Sequence, residues 1–167
     1  MPDDPLVPRS VAAMRQAFDA AFAEPRREGS RSTQRVMLVR IGSTPYAVRL
    51  EECSAIVPLP SITTLPSVVY AFCGVAHVRG ALVPVYDLAR LLQLDTPADA
   101  SRWLLVTAGD DRVGFIVDAL EGHGTAAEQA QEAGDPTPVV QVDDTDYRLL
   151  ALPRIVAGIR EQAGLET

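Results

Sequence analysis

The spacing of hydrophobic and polar positions changes character once along this chain. Between Ser10 and Glu24 the apolar residues Val11, Met14, Phe18, Ala21 and Phe22 recur every three or four positions. That spacing lays one apolar stripe on a helix, with Ser10 as N-cap and Pro25 as its stop. Pro2, Pro5 and Pro8 exclude a regular element before it. Arg26–Thr33 reads as a charged linker, so residues 1–33 form an extension carrying one amphipathic helix. A helix of that length is not stable alone and must pack on its own domain or on a partner.

From residue 34 the period is that of strands, and residues 34–167 read as the main domain. β runs are predicted at Arg35–Ile41, Tyr46–Leu50, Ala76–Val78, Ala81–Tyr86, Arg102–Thr107, Val113–Val117, Val139–Val142 and Tyr147–Leu152. Turn chemistry separates them at Gly42–Pro45, Arg79-Gly80, Gly109–Asp111 and Asp143–Asp146. Pro84, in mid-strand, cannot donate to a ladder and predicts an edge or a bulge. Helical pieces are short: Asp87–Leu92, Thr125–Ala133 and Pro153–Gln162. Many short strands with closely spaced turns predict a mainly β sandwich or small barrels.

One stretch, Cys53–Val78, carries no formal charge and is long enough to span a bilayer. Pro58, Pro60 and Pro66 break any helix there, so membrane insertion is rejected and the stretch is read as core or partner surface. The whole chain has 167 residues and a net charge of −7. One domain of this size buries a sufficient core without staples. The acidic balance argues against a nucleic-acid surface. With Cys53 and Cys73 as its two cysteines and no signal peptide, a cytoplasmic setting is expected.

Catalytic equipment is sparse. His77 lies in a β run, and His123 sits between glycines that cannot orient an imidazole. Asp87 and Asp118 each follow an apolar strand in a loose echo, PVYDL and FIVDAL. Capping a helix start explains Asp87 better than acid–base work. Asp143-Asp144-Thr145-Asp146 lacks the glycine and closing glutamate of a calcium loop. No phosphate loop or metal-ligand spacing is present, so neither catalysis nor a cofactor is expected. A binding module is the reading that fits.

Residues 74–92, GVAHVRGALVPVYDLARLL, read as a hairpin with Arg79-Gly80 at its tip and Asp87 opening a helix. An arginine beside a long uncharged stretch offers a planar donor fork next to apolar surface. This block resembles the signature of CheW-type chemotaxis adaptor domains, close to G-V-I-N-L-R-G-x-x-I-P-V-x-D-L-x-x-x-L. VRIGSTPYAVRLEECSAIV (39–57) resembles the family's opening hairpin, Leu65-Pro66 stands where a Val-Pro usually precedes the signature, and VGFIVDAL (113–120) matches its V-G-x-x-V-D-x-V strand. Four blocks in order cover about residues 34–157.

The resemblance implies a CheW-like fold of two intertwined five-stranded SH3-like β-barrel subdomains, here with the extra N-terminal helix and a short C-terminal helix. It implies a non-catalytic adaptor of a bacterial two-component pathway. Such an adaptor couples methyl-accepting chemoreceptor tips to the regulatory domain of a CheA-type histidine kinase at membrane-associated arrays, and it can meet other CheW-like domains. Partner-binding positions carried over are Arg79 and Gly80 with the neighbouring Val78 and His77, and Ala55, Ile56 and Val57 after the opening hairpin. The chain departs from the pattern at Ala55 (usually Glu), His77 (usually Asn), Val69 (usually Pro) and Leu152–Val156. Those departures motivate the alternative, an accessory scaffold or sequestering subunit that binds one partner or itself, as in a pilus-linked or other non-flagellar array.

Overall fold

Two-sided burial, more than simple alternation, shapes the strands in the computed structural model, which describes residues 33–95, 102–128 and 137–164. β1 (Thr33–Ile41) turns Val36 and Leu38 to one apolar cluster and Met37, Val39 and Ile41 to another. β2 (Thr44–Arg49) does the same with Ala47 on one face and Tyr46 and Val48 on the other. A strand covered on both faces needs an unbroken apolar run, which Val36–Val39 supplies between exposed Arg35 and Arg40.

The chain then passes through a 3-10 turn, Leu50–Glu52, into β3 (Cys53–Pro58), β4 (Ile62–Thr63), β5 (Phe72–Val78) and β6 (Ala81–Asp87). A short helix α1 (Leu88–Leu91) follows, then β7 (Trp103–Thr107), β8 (Gly114–Val117), β9 (Ala119–Glu128), β10 (Val139–Val142), β11 (Thr145–Leu150) and helix α2 (Leu152–Gln162). Strands in the order β1-β2-β11-β10-β9 close a barrel, and a six-stranded sheet runs β3-β7-β8-β6-β5-β4. Its end strands share one apolar cluster, with Val57 and Leu59 from one end and Ile62 from the other packed on Ala76, Val83 and Leu104. The sheet therefore wraps around its own core. It has six strands where five were expected, because the two-residue β4 adds to its edge.

Three apolar clusters result. One fills the barrel around Val36, Val140 and Leu149, and one fills the sheet around Val83, Val85 and Ile116. The third lies between them, joining Val39, Ile41 and Val48 of the barrel to Leu105, Phe115 and Val117 of the sheet, with Leu152 and Ile159 of α2 against it. The chain crosses from one sheet to the other at Leu50–Glu52 and at Asp118. This architecture is the mainly β, two-subdomain fold that the sequence implied, with the predicted C-terminal helix in place.

The hairpin turns fall where they were predicted. Val78 faces Ala81 across Arg79-Gly80, and Val142 faces Thr145 across Asp143-Asp144. All four turn residues have positive φ, 48° and 84° in the first pair and 46° and 62° in the second. Both are two-residue turns whose twist suits a hairpin.

Two further expectations change. The helix predicted at Thr125–Ala133 is strand through Glu128, since β9 pairs with β1 over its length and with β10 at Ala127 and Glu128. Ladder pairing and the burial of Ala126 inside the barrel override the helix propensity of alanine. The rest of that segment, and the helix predicted over Ser10–Glu24, lie outside the described residues. Glycine-flanked His123 is likewise a strand residue, paired with Met37. The edge predicted at Pro84 is met locally: β6 is an interior strand, but its register with β8 begins only at Val85.

Candidate partner-binding site

The β5–β6 hairpin alternates cleanly. Ala76 and Val78 of β5 and Val83 and Val85 of β6 point into the sheet core, while His77 and Leu82 form an outward cross-strand pair. Beyond them Arg79 and Gly80 stand exposed at the tip. Among the described residues Arg79 has no ion pair or hydrogen bond, so its five donors face solvent. The other carried-over positions divide by face. Ala55 and Val78 are buried in the same cluster with Val57 packed on it, so these three meet beneath the surface. Half-buried Ile56 lies on the opposite face of β3, against the cluster between the two sheets. Of the seven positions, His77, Arg79 and Gly80 are the surface group, and Ala55, Val57 and Val78 are its support.

Sequence reasoning missed the loop before β5. Leu65, Val68 and Tyr70 are exposed there, Val68 at 89% and Tyr70 at 81%, with Leu82 at 72% on the hairpin. The loop is well anchored: Val69 and Ala71 are buried on either side of exposed Tyr70. The Ser67 hydroxyl accepts from the Val69 amide at 3.0 Å, and the Ala71 carbonyl accepts from the Asp87 amide at 2.8 Å. The Arg90 guanidinium lies 5.5 Å from the Tyr70 ring centre, a cation–π distance. Large apolar side chains held outward in this way make the loop a candidate interaction surface. The signal was the uncharged run Cys53–Val78, which proves to be core and surface in alternation.

A second region flanks α2. Its apolar stripe, Leu152, Ile155, Val156 and Ile159, packs on the cluster between the two sheets. Ala151 gives the helix no side-chain cap; Glu52, from the crossing between the sheets, accepts from the Leu152 amide at 3.0 Å instead. Glu52 also pairs with Arg49 at 3.0 Å. A groove of about 600 Å³ opens between α2, the β7–β8 loop and the outward side chains Leu82, Pro84 and Tyr86. A second, of about 470 Å³, opens between α2, the same loop and Glu51-Glu52. The Arg160–Asp111 ion pair stands at the rim of both.

The groups once weighed for catalysis have structural partners. Asp87 is buried, caps α1 by accepting from the Arg90 amide at 3.3 Å, and pairs with Arg102 at 3.1 Å. Asp118 is buried and accepts from the Gly42 amide at 2.6 Å. Burial pushes the Cys53 thiol up to about 12, with the Glu52 carboxylate adding in the same direction. The Cys73 thiol is raised for the same first reason, with Asp87 adding to it. Neither supplies a thiolate nucleophile at neutral pH. Among the described residues no three His, Cys, Asp or Glu side chains converge as a metal centre needs, and no helix is long and apolar enough to cross a membrane.

A sequence model of the CheW-like domain matches residues 35–155. This chain belongs to the CheW-like family. It is 28% identical over 105 residues to the chemotaxis protein CheW of Bacillus subtilis (strain 168), an alignment spanning 59% of this chain and 67% of that one. It is 28% identical over 106 residues to a probable chemotaxis protein CheW of Rhizobium etli, spanning 62% and 66%. The scaffolding protein TtCheW from Thermoanaerobacter tengcongensis superposes with a TM-score of 0.60 at 17% identity, covering 71% of this chain and 88% of that one. The CheW-like fold thus holds while most of the sequence has drifted.

Proposed function

We propose that this chain is a non-catalytic chemosensory adaptor that couples chemoreceptor tips to the regulatory domain of a CheA-type histidine kinase, working in the cytoplasm at receptor arrays. The observation that carries this reading is the unpaired Arg79 at the tip of the β5–β6 hairpin, with exposed Leu82 beside it on the second strand. A cation fork set next to apolar area is how interfaces combine orientation with burial. The anchored loop with Val68 and Tyr70 adds apolar area from the same sheet. The two grooves along α2 lie over the cluster that joins the two halves, and in this reading they receive the receptor tip.

The test is capture of a kinase regulatory domain and of a receptor cytoplasmic fragment, singly and together, by the full chain. Capture of both supports coupling, and loss of ternary assembly in Arg79→Ala places the arginine in it. Unchanged capture of both partners by that variant removes Arg79 from the reading. A second reading, an accessory scaffold for one partner or for itself, is favoured by Ala55. Where the pattern that the sequence resembles has a glutamate, this residue is a buried methyl and offers no polar contact. Capture of only one partner would favour that reading.

A further inference from the structure

The two halves of the molecule are joined by packing and also by one shared cation. Asp87 ends β6 of the sheet; Asp118 is the residue at which the chain leaves β8 of the sheet and enters β9 of the barrel. Both carboxylates are buried, 3% and 4% exposed, and each would be costly without a charged partner. The Arg102 guanidinium serves both: Nη2 lies 3.1 Å from Asp87 Oδ2, and Nε lies 3.6 Å from Asp118 Oδ1. A planar fork can address two carboxylates along different edges, which a lysine ammonium does less well.

Each carboxylate also holds a backbone amide on its own side. Asp118 accepts from the amide of Gly42, in the β1–β2 turn of the barrel, and its own amide donates to the Arg40 carbonyl of β1 at 2.9 Å. Asp87 accepts from the Arg90 amide in α1, and Arg90 approaches it at 3.7 Å from a more exposed position. The barrel turn is pressed close to the chain beyond α1: a Cβ on Gly42, at φ +61°, would lie 2.4 Å from the Asp95 carbonyl oxygen. A chain of contacts therefore runs from the barrel turn through Asp118, Arg102 and Asp87 to α1.

We propose that Arg102 is the tie that fixes the angle between barrel and sheet. Through it, order at the Asp87 cap of α1 and order at the Gly42 turn of the barrel depend on one another. Hydrophobic contact between the sheets is non-directional and leaves them some freedom to slide. A guanidinium held between two buried carboxylates has one geometry. If the adaptor reading is right, a partner gripping both halves meets an arrangement that this residue has set; the tie itself does not rest on that reading.

The test needs no partner. Amide hydrogen exchange of the full chain is compared with that of Arg102→Met, which keeps length and removes charge. Exchange at Gly42 and at Arg90 is expected to speed up together by tenfold or more, while amides away from the tie, Leu105 in β7 and Leu149, which donates to the Pro138 carbonyl, keep their protection. Acceleration at Arg90 alone would overturn the tie, leaving Arg102 as a local partner of Asp87. Equal acceleration everywhere would also overturn it, reducing Arg102 to a contributor to global stability. If Arg102→Met does not fold, Arg102→Lys replaces it. Its single ammonium is expected to keep one of the two amides protected and release the other. Protection of both by lysine would overturn the need for a bridging fork.

Discussion

Arg79 and Cys53 show how far a residue's place decides its chemistry. Arg79 sits in a left-handed turn conformation with no partner among the described residues, so its charge is spare in the free protein. A charge-assisted contact made by it in a complex is worth about 1.5–3 kcal/mol, or roughly a tenfold to hundredfold change in affinity. Arg79→Ala is therefore expected to leave the melting temperature within about a degree and to weaken ternary assembly by that factor, read by titration calorimetry. Cys53 is the opposite case, a thiol whose folded value is raised from 9.0 to about 12 by burial and by Glu52. The folded state holds that proton more tightly than the unfolded chain does. Its contribution is thus complete below pH 9 and is lost as pH rises toward 12. Denaturation midpoints measured across this range are expected to fall with pH, and to fall less steeply in Cys53→Ala. An identical slope in the variant would mean that the thiol is not the cause. Its position five residues before Pro58 gave no sign of this, because burial of β3 depends on β7 alongside it.

At the scale of elements, the two-residue turns, the Asp87 cap and the C-terminal helix were legible because each is set by neighbours in sequence. Arg79-Gly80 and Asp143-Asp144 carry their turn chemistry with them. What holds α2 was not legible. Its first amide is capped by Glu52, a hundred residues earlier in the chain, and no spacing rule reaches that far. Glu52→Ala is expected to destabilise the protein by about 0.5–2 kcal/mol, the usual effect of losing an N-cap. Hydrogen exchange should show early loss of protection at Leu152 while the barrel amides hold. The edges of β9 were also hidden. Gly124 lies where a Cβ would meet Val142 Cγ1, so its glycine answers to a side chain of the neighbouring strand β10 and says nothing about local flexibility. An alanine-rich run beyond it reads as helix until β1 and β10 are seen on either side.

For the whole molecule, the cluster between barrel and sheet is the decisive feature. Phe115, Leu105 and Val39 are fully buried there, supplied by both halves. Truncating Phe115 to alanine should lower stability by about 3–5 kcal/mol through lost transfer energy and the cavity left behind. Because the cluster is shared, the loss should be felt by both halves at once. Fluorescence of Trp103, the lone tryptophan, and far-ultraviolet dichroism are expected to report one coincident transition in the native chain and in Phe115→Ala. Separate transitions would mean that the two halves unfold independently. The Arg102 tie belongs to the same scale: it adds direction where packing supplies only cohesion.

Taken alone, the sequence determined the class of fold, the positions of most strands and turns, and the family, because strand period, turn residues and a hairpin signature are local properties. It also set the Arg79 tip apart, since a turn at Arg79-Gly80 exposes its first residue wherever the hairpin lies. Tertiary structure alone decided which apolar residues face outward. Val68, Tyr70 and Leu82 lie in or beside the same uncharged run as Val78 and Val83, and only their strand neighbours and loop anchors distinguish surface from core. It alone decided that Asp87 and Asp118 share Arg102, because ion pairing depends on distance in space, and the pairing of β8 with β6 and β7 sets Asp87 opposite Ile116 and Trp103 opposite Val117.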